Sequence, residues 1–401
     1  MTSSVLSSVQ MAPRDPILGL NELFNTDTNP KKVNLGVGVY CDDNGKVPLL
    51  ECVRRAEQQL VEQAAPRGYL PIDGIPAYDK AVQGLLLGKD HPALKDGRVM
   101  TVQSLGGTGG LKVGADFLRR LLPEAQVWIS DPSWENHRAL FENAGFTVNT
   151  YPYYHAPTHG LDFTGMMKAL AAMPANSIVV LHACCHNPTG LDLSADQWKE
   201  VAAAVTRGNL VPFLDIAYQG FGDGLEADAA AVRMFAGLGV PVRVSSSFSK
   251  SFSLYGERIG ALSIVSDDRE AAGRVLSQVK RLVRTNYSNP PTHGGRIVEN
   301  VLASPDLRGM WETELGQMRD RIRTMRSQLV EKIHARVPGA DFGFVVGQRG
   351  MFSYSGLTKD QVLRLRDEFG VYAIDTGRIC VAALNSRNID YVADSIAQVI
   401  R

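Results

Sequence analysis

The sequence has no surplus of charge of either sign: Lys and Arg together number 42, and so do Asp and Glu. Without a basic field nothing gathers a nucleic acid or an anionic membrane, so a small-molecule partner is expected. Cysteine is sparse and odd in number, with Cys41, Cys52, Cys184, Cys185 and Cys380 making five. That set excludes a disulfide framework and suits free thiols in a reducing compartment. No apolar run approaches the roughly 18 residues that a membrane span needs. The opening "MTSSVLSSVQMAPRDP" lacks a basic stretch ahead of an apolar one and offers a single Arg14. Neither a secretory nor a transit peptide is expected from it, and the cytoplasm is the default location.

What is present is ample apolar material, 44% of 401 residues, a length that suits two domains or one large domain with a smaller one attached. After Pro92 short apolar runs alternate with amphipathic segments, the pattern of an α/β fold in which helices flank a mostly parallel sheet. Strands are expected near 98–103, 126–130, 146–151, 177–182, 210–215, 242–248 and 259–265. Helices fit at 109–122, 134–144, 163–173, 194–207 and 228–238. Between the last two strands only "SKSFSLYGER" intervenes, too short for a crossover helix, so the 259–265 strand is expected to run antiparallel. From 267 to 336 the chain reads as helical, interrupted by "NYSNPPTHG" with its paired Pro290 and Pro291. The last 60 residues read as short strands with one amphipathic helix, 358–369. The expected division is an N-terminal arm, 1–39, packing with a small domain, 318–401, around a large domain, 40–317.

Several motifs carry chemistry. In "SLGGTGGLKVGADFLRRLL" a glycine cluster follows a strand and opens a helix, where free N–H groups and the helix dipole attract an anion. Counting G-x-G-x-x-G from Gly107 puts Lys112 in the sixth place, so the dinucleotide fingerprint fails and Asp131 loses its appeal as a ribose ligand. The segment reads equally as a tight turn or as a phosphate seat. In "LHACCHNPTG" the adjacent Cys184 and Cys185 chelate one ion poorly, and no metal is expected with His182 and His186. Asn187 there is either a turn residue or a donor aimed into a cleft. Asp215 ends the apolar strand of "LVPFLDIAYQGFGDG" and precedes Tyr218 by three residues.

Gly107, Asn187, Asp215 and Lys250 all fall at the carboxyl ends of expected strands, the edge at which open α/β sheets bind ligands. Lys250 sits alone among serines in "VSSSFSKSFSLYGERIGAL", and a lysine in a cleft of low polarity loses its proton readily and condenses with carbonyls. One cofactor accounts for the set. Pyridoxal phosphate needs a Schiff-base lysine (Lys250), an acid on its pyridine nitrogen (Asp215), donors to its phenolic oxygen (Asn187, Tyr218) and a phosphate cradle. Gly107, Thr108, Ser247, Ser249 and Arg258 supply the cradle, arginine matching phosphate better than lysine.

The motifs "VNLGVGVY", "YLPIDG", "GGTGGLKVGADFL", "SDPSWENH", "CCHNPTG", "FLDIAYQGF", "SSSFSKSFSLYGERIGAL", "RTNYSNPPTHG", "RGMFSYSGL" and "TGRICVAALN" stand in this order from about Pro16 onward. With them the sequence resembles the aspartate/aromatic (tyrosine) aminotransferase family of fold-type I pyridoxal phosphate enzymes. The resemblance implies that Lys250 both holds the cofactor and shuttles the substrate Cα proton. It implies Trp134 stacked on the ring and touching substrate with Asn187, and His137 behind Asp215. Arg378 is implied as the clamp for the substrate α-carboxylate, and Gly38 as the point where the backbone nears the substrate. Tyr69 and Arg284 are implied to reach the site of the partner subunit, Tyr69 toward the phosphate and Arg284 toward a side-chain carboxylate. A homodimer with composite sites and ping-pong transamination follow from the same resemblance.

For specificity, Val39, Cys41 and Val47 near the expected mouth are less polar than the lysine and threonine associated with aspartate-specialised relatives, and low polarity eases the seating of an aromatic ring. Asn289 and Thr108 resemble the aspartate side. The expectation is transfer from tyrosine and phenylalanine, with aspartate and glutamate retained, to a 2-oxo acid such as 2-oxoglutarate; the alternative is an aspartate aminotransferase with little aromatic activity. Two rivals use other chemistry: a lyase or decarboxylase on the same cofactor, and a ligand-sensing module, which would carry a DNA-binding segment that this sequence does not display.

Overall fold

A computed structural model describes residues 4–401. Its centre is a seven-stranded sheet in the order Val99–Leu105, Ile259–Val265, Val242–Ser247, Val211–Ile216, Ile178–His182, Gln126–Asp131, Thr147–Pro152. Every expected strand forms, with its ends moved by a residue or two. Ile259–Val265 pairs antiparallel with both neighbours, as the short connection requires, and the other pairings are parallel. Ile178–His182 is buried along its whole length, which is why its sequence is continuously apolar rather than alternating.

Helices cover both faces. Gly106–Leu121 starts directly at the end of Val99–Leu105 and lies close on the sheet. A Cβ on Gly114 would stand 2.5 Å from the Phe213 ring, and one on Gly110 would stand 2.8 Å from the Ala261 carbonyl oxygen. The glycines of this helix therefore set how near the helix comes, besides opening its first turn. Helices Ala195–Arg207 and Lys359–Phe369 each begin at a reciprocal capping box, Ser194 with Gln197 and Thr358 with Gln361, satisfying N–H groups that a helix start leaves free.

After residue 267 the chain forms Arg269–Asn286, His293–Ala303 and the long Pro305–Arg336, the first break falling at the Pro290–Pro291 pair. The chain ends meet. Val33 pairs with Val371 and Asn34 with Tyr372 in a parallel ladder, and Cys380 N–H donates to Leu35 at 2.8 Å. A three-residue antiparallel pair, Phe352–Tyr354 with Arg378–Cys380, presents Arg378 next to that ladder.

The single-helix reading of the last 60 residues needs correction. Ile389–Ile400 is a second helix that buries Val392, Ala393 and Ile396 and is tied to the long helix by ion pairs from Lys332 and Arg336 to Asp390 and Asp394. Helices Glu51–Gln63 and Pro76–Leu87, to which the sequence reading gave no assignment, also form. All five cysteines are free thiols. Among the described residues no helix is long and apolar enough to cross a membrane.

Candidate active site

A cavity of about 640 Å³ opens at the carboxyl ends of the parallel strands. Five strand ends feed it: Gly107 and Thr108 follow Val99–Leu105, Trp134 follows Gln126–Asp131, and Asn187 follows Ile178–His182. Asp215 closes Val211–Ile216 with Tyr218 after it, and Ser247, Ser249 and Lys250 end Val242–Ser247.

At one end the cavity has the features of an anion seat. The N-terminus of helix Gly106–Leu121 points its free N–H groups inward at Gly107 and Thr108. Arg258 stands over it in a left-handed conformation (φ +53°) and donates to the Tyr255 carbonyl at 3.0 Å and to Ser249 Oγ at 3.4 Å. Gly106 has φ +67°, and a Cβ there would lie 2.5 Å from an Arg258 guanidinium nitrogen. Only glycine leaves room for that arginine at the helix start. Serine hydroxyls support the seat: from behind it Ser245 Oγ donates to the Gly107 carbonyl at 2.8 Å, and at the cavity Ser247 Oγ accepts from Ser249 N–H at 3.3 Å.

Lys250 lines the same cavity as Asp215 and Arg258, its Nζ 4.9 Å from the Tyr218 ring centre. Burial, the strongest influence, brings its ammonium down to about 8, helped by the positive Arg258 and Arg378 and opposed by Asp215. At pH 7 about a tenth of it is thus the neutral, nucleophilic amine, against well under a thousandth for an ordinary lysine. Asp215 is held the other way. Burial pushes its carboxyl up, but the hydrogen bond and charge of His137, aided by His182 and Lys250, bring it below the usual carboxylate range. His137 is fully buried, with Nε2 3.0 Å from Asp215 Oδ2 and Nδ1 2.9 Å from Ser133 Oγ. The Trp134 ring packs edge-on against it, centres 5.3 Å apart.

Across the cavity Arg378 is 1% exposed. Its two terminal nitrogens donate to Asn187 Oδ1 at 3.0 Å and to the Gly36 carbonyl at 2.7 Å, and its guanidinium lies 4.4 Å above the Phe352 ring. Its Nε is buried without a partner, as are both ring nitrogens of His182. Unpaired buried donors are costly and rare, and here they border one cavity. Gly38 has a further reason to be glycine: a Cβ there would stand 2.6 Å from the Phe352 ring.

These residues fit the expected cofactor: an anion seat, a lysine with a lowered pKa, a buried carboxylate kept ionised, an indole at the wall and a guanidinium with a free donor. The structure brings together Gly38, Gly107, Thr108, Trp134, Asn187, Asp215, Tyr218, Ser247, Ser249, Lys250, Arg258 and Arg378, with His137 directly behind. Tyr69 and Arg284 are not at the cavity of their own chain. Tyr69 is 96% exposed, and Arg284 is exposed on helix Arg269–Asn286 with its guanidinium on Ser288 Oγ. Cys41 and Val47 do not line the cavity either, nor does Asn289, so the apolar mouth read from the first two needs other residues.

Those residues are Ile17, Leu18, Val37, Val39 and Phe352, apolar side chains that line the cavity. Apart from Val39, sequence reasoning missed them, as it missed Tyr255, whose hydroxyl accepts from Tyr40 N–H at 2.9 Å. A second donor cluster, Cys184, Cys185 and Asp228, gathers away from this cavity. Its carboxylate already accepts the N–H groups of Gly220, Gly222 and Asp223 and shapes that turn.

Residues 30–396 match the family described as aminotransferase class I and II. An aspartate aminotransferase of Pseudomonas aeruginosa is 63% identical over 99% of this chain and all of its own length. An aromatic-amino-acid aminotransferase of Escherichia coli is 52% identical over 96% of this chain and 98% of its own. Among solved structures, an aromatic-amino-acid aminotransferase from Burkholderia pseudomallei covalently bound to pyridoxal phosphate superposes with a TM-score of 0.97 at 66% identity, over the whole of both chains. The α/β sheet, the ligand edge and these likenesses agree, and the chain belongs to the aminotransferase class I and II family.

Proposed function

We propose that the protein is a pyridoxal phosphate-dependent aminotransferase that moves the amino group of tyrosine and phenylalanine, and of aspartate and glutamate, to a 2-oxo acid such as 2-oxoglutarate. The observation that carries the reading is the pairing of Lys250, its ammonium brought down to about 8, with an Asp215 kept ionised by His137, at one cavity edge. When bound, pyridoxal phosphate supplies a carbonyl that takes up amino groups and a ring that draws in the electron pair released at Cα. Lys250 would hold the cofactor's carbonyl and serve as the base that accepts the substrate Cα proton. Asp215 would keep a proton on the ring nitrogen, and Asn187 and Tyr218 would donate to the phenolic oxygen. Gly107, Thr108, Ser247, Ser249 and Arg258 would hold the phosphate, and Trp134 would lie against the ring. Arg378, with Nε still unpaired, grips the α-carboxylate and so orients Cα–H toward Lys250.

Two sites in a homodimer complete the reading, with Tyr69 and Arg284 each serving the partner's cavity. Their exposure on the protomer surface supports this. Within the chain, 1–39 and 318–401 make a small domain against the large domain 40–317, consistent with the Val33–Val371 ladder, and the enzyme works in the cytoplasm. The apolar lining of Ile17, Leu18, Val37 and Val39 favours aromatic substrates, while Arg284 serves the dicarboxylic ones. The test is to supply the holoenzyme with 2-oxoglutarate and either L-phenylalanine or L-aspartate. Formation of phenylpyruvate at a rate comparable to oxaloacetate supports the broad specificity. Oxaloacetate alone makes the protein an aspartate aminotransferase, and ammonia or carbon dioxide in place of a 2-oxo acid overturns transamination.

A further inference from the structure

The two segments that carry Tyr69 and Arg284 are joined to each other inside one protomer through one residue of the sheet and one ion pair. Val99–Leu105 is an edge strand of the sheet, so one of its margins has no strand to pair with, and such margins need covering. At Gln103, fully buried, the cover comes from both segments. Its N–H donates to the Asp73 carbonyl at 2.8 Å, and its carbonyl accepts from the Tyr287 hydroxyl at 3.3 Å. Its side chain repeats the pattern: Oε1 accepts from Ile75 N–H at 3.4 Å and Nε2 donates to the Pro291 carbonyl at 2.7 Å. Tyr69 lies just upstream of Asp73, and Arg284 lies one turn before Tyr287.

The amide sits in a socket that two glycines leave open. A Cβ on Gly74 (φ +107°) would lie 2.4 Å from Gln103 Cβ, and one on Gly295 would lie 2.8 Å from Gln103 Nε2. A second tie runs outside the socket, where Asp73 Oδ2 meets Lys280 Nζ at 2.9 Å. Lys280 and Arg284 are one helical turn apart on Arg269–Asn286 and so share a face.

We propose that Gln103, seconded by the Asp73–Lys280 ion pair, is a positioning residue that fixes the Tyr69 and Arg284 segments relative to each other, and thereby sets selectivity for dicarboxylic substrates at the partner's site. The proposal rests on the composite-site reading. Neither Gln103 nor Lys280 lines the cavity of its own chain. A neutral amide suits the task because one end must accept and the other donate; a carboxylate would face the Pro291 carbonyl without a proton between them.

Gln103→Met keeps the volume and removes both side-chain hydrogen bonds. The expected result is a dimeric, cofactor-loaded variant whose KM for aspartate rises about tenfold, the loss of roughly one good hydrogen bond's worth of placement. The KM for phenylalanine and kcat for both substrates should stay within about twofold of the parent. Hydrogen exchange should quicken together at Ile75 and over residues 284–288, a readout independent of turnover. Lys280→Met, at a half-exposed site, should give a smaller loss of the same kind and replaces the first variant if that one does not fold. Arg284→Leu is measured alongside. If it raises the aspartate KM while Gln103→Met and Lys280→Met leave that KM unchanged, the proposal about Gln103 falls and the composite site stands. If Arg284→Leu leaves aspartate turnover untouched, the composite-site reading falls and the proposal with it.

Discussion

His137 Nε2 stands 3.0 Å from Asp215 Oδ2 with both side chains out of solvent, so the imidazole is the fixed partner of a buried carboxylate. Removing it as His137→Asn leaves that carboxylate with less to offset its desolvation. The expected cost in the apoprotein is about 1–3 kcal/mol. The sign with pH follows from Asp215's lowered native pKa. Stability from the pair is fully present above the ordinary carboxylate range and is lost as pH falls through the lowered native value. Denaturant unfolding of parent and variant across pH should therefore show a gap near neutrality that closes in acid.

Lys250 gives a kinetic prediction. Covalent uptake of the cofactor by apoprotein requires the neutral amine, so its rate should climb about tenfold per pH unit in acid and level off above about 8. A rate still rising steeply beyond that value would mean that burial does not lower this lysine. Lys250→Ala should abolish transamination while the phosphate seat still retains cofactor, which absorbance after gel filtration reports.

Arg378 and Arg284 should separate by substrate. Arg378→Lys keeps the charge but cannot reach Asn187 Oδ1 and the Gly36 carbonyl together while offering a third donor. Its kcat/KM should drop by about 100-fold for phenylalanine and aspartate alike, because every amino acid carries an α-carboxylate. A loss confined to aspartate in steady-state assays would refute the assignment of Arg378 to the α-carboxylate.

Asp79 is a buried acid outside the site. Burial, with Asp73's charge adding and Lys280's opposing, pushes its carboxyl up to about 9, and one oxygen has no partner. Such a group binds more protons folded than unfolded, so it lowers stability progressively as pH climbs from about 4 to about 9. Asp79→Asn should match the parent in acid and exceed it by roughly 1–3 kcal/mol at mildly alkaline pH. Thermal midpoints at two pH values decide the matter.

The sheet was legible because buried parallel strands are written as short apolar runs, and the reversed Ile259–Val265 strand because ten residues cannot hold a crossover helix. The ligand edge was legible for the same reason: Gly107, Asn187, Asp215 and Lys250 each follow such a run. Helix Pro76–Leu87 was overlooked although Pro76 and Gly88 mark its ends, because its leucines crowd together instead of spacing out. Ile17, Leu18 and Phe352 could not be placed, since they reach the cavity through the pairing of distant chain ends. Arg284 and Tyr69 lack any local signal: on one protomer each is an ordinary exposed side chain, and only the family resemblance gave them a task.

The confinement of Arg378 between Asn187, Gly36 and the Phe352 ring has a thermodynamic reading. A free arginine loses up to roughly 2 kcal/mol of rotamer entropy when it is immobilised. Here that loss falls on folding, because three neighbours hold the guanidinium in place before any amino acid arrives. Recognition of the carboxylate then draws little on the enzyme's own disorder, and weakly held substrates can still be aligned closely enough for a single proton to be moved.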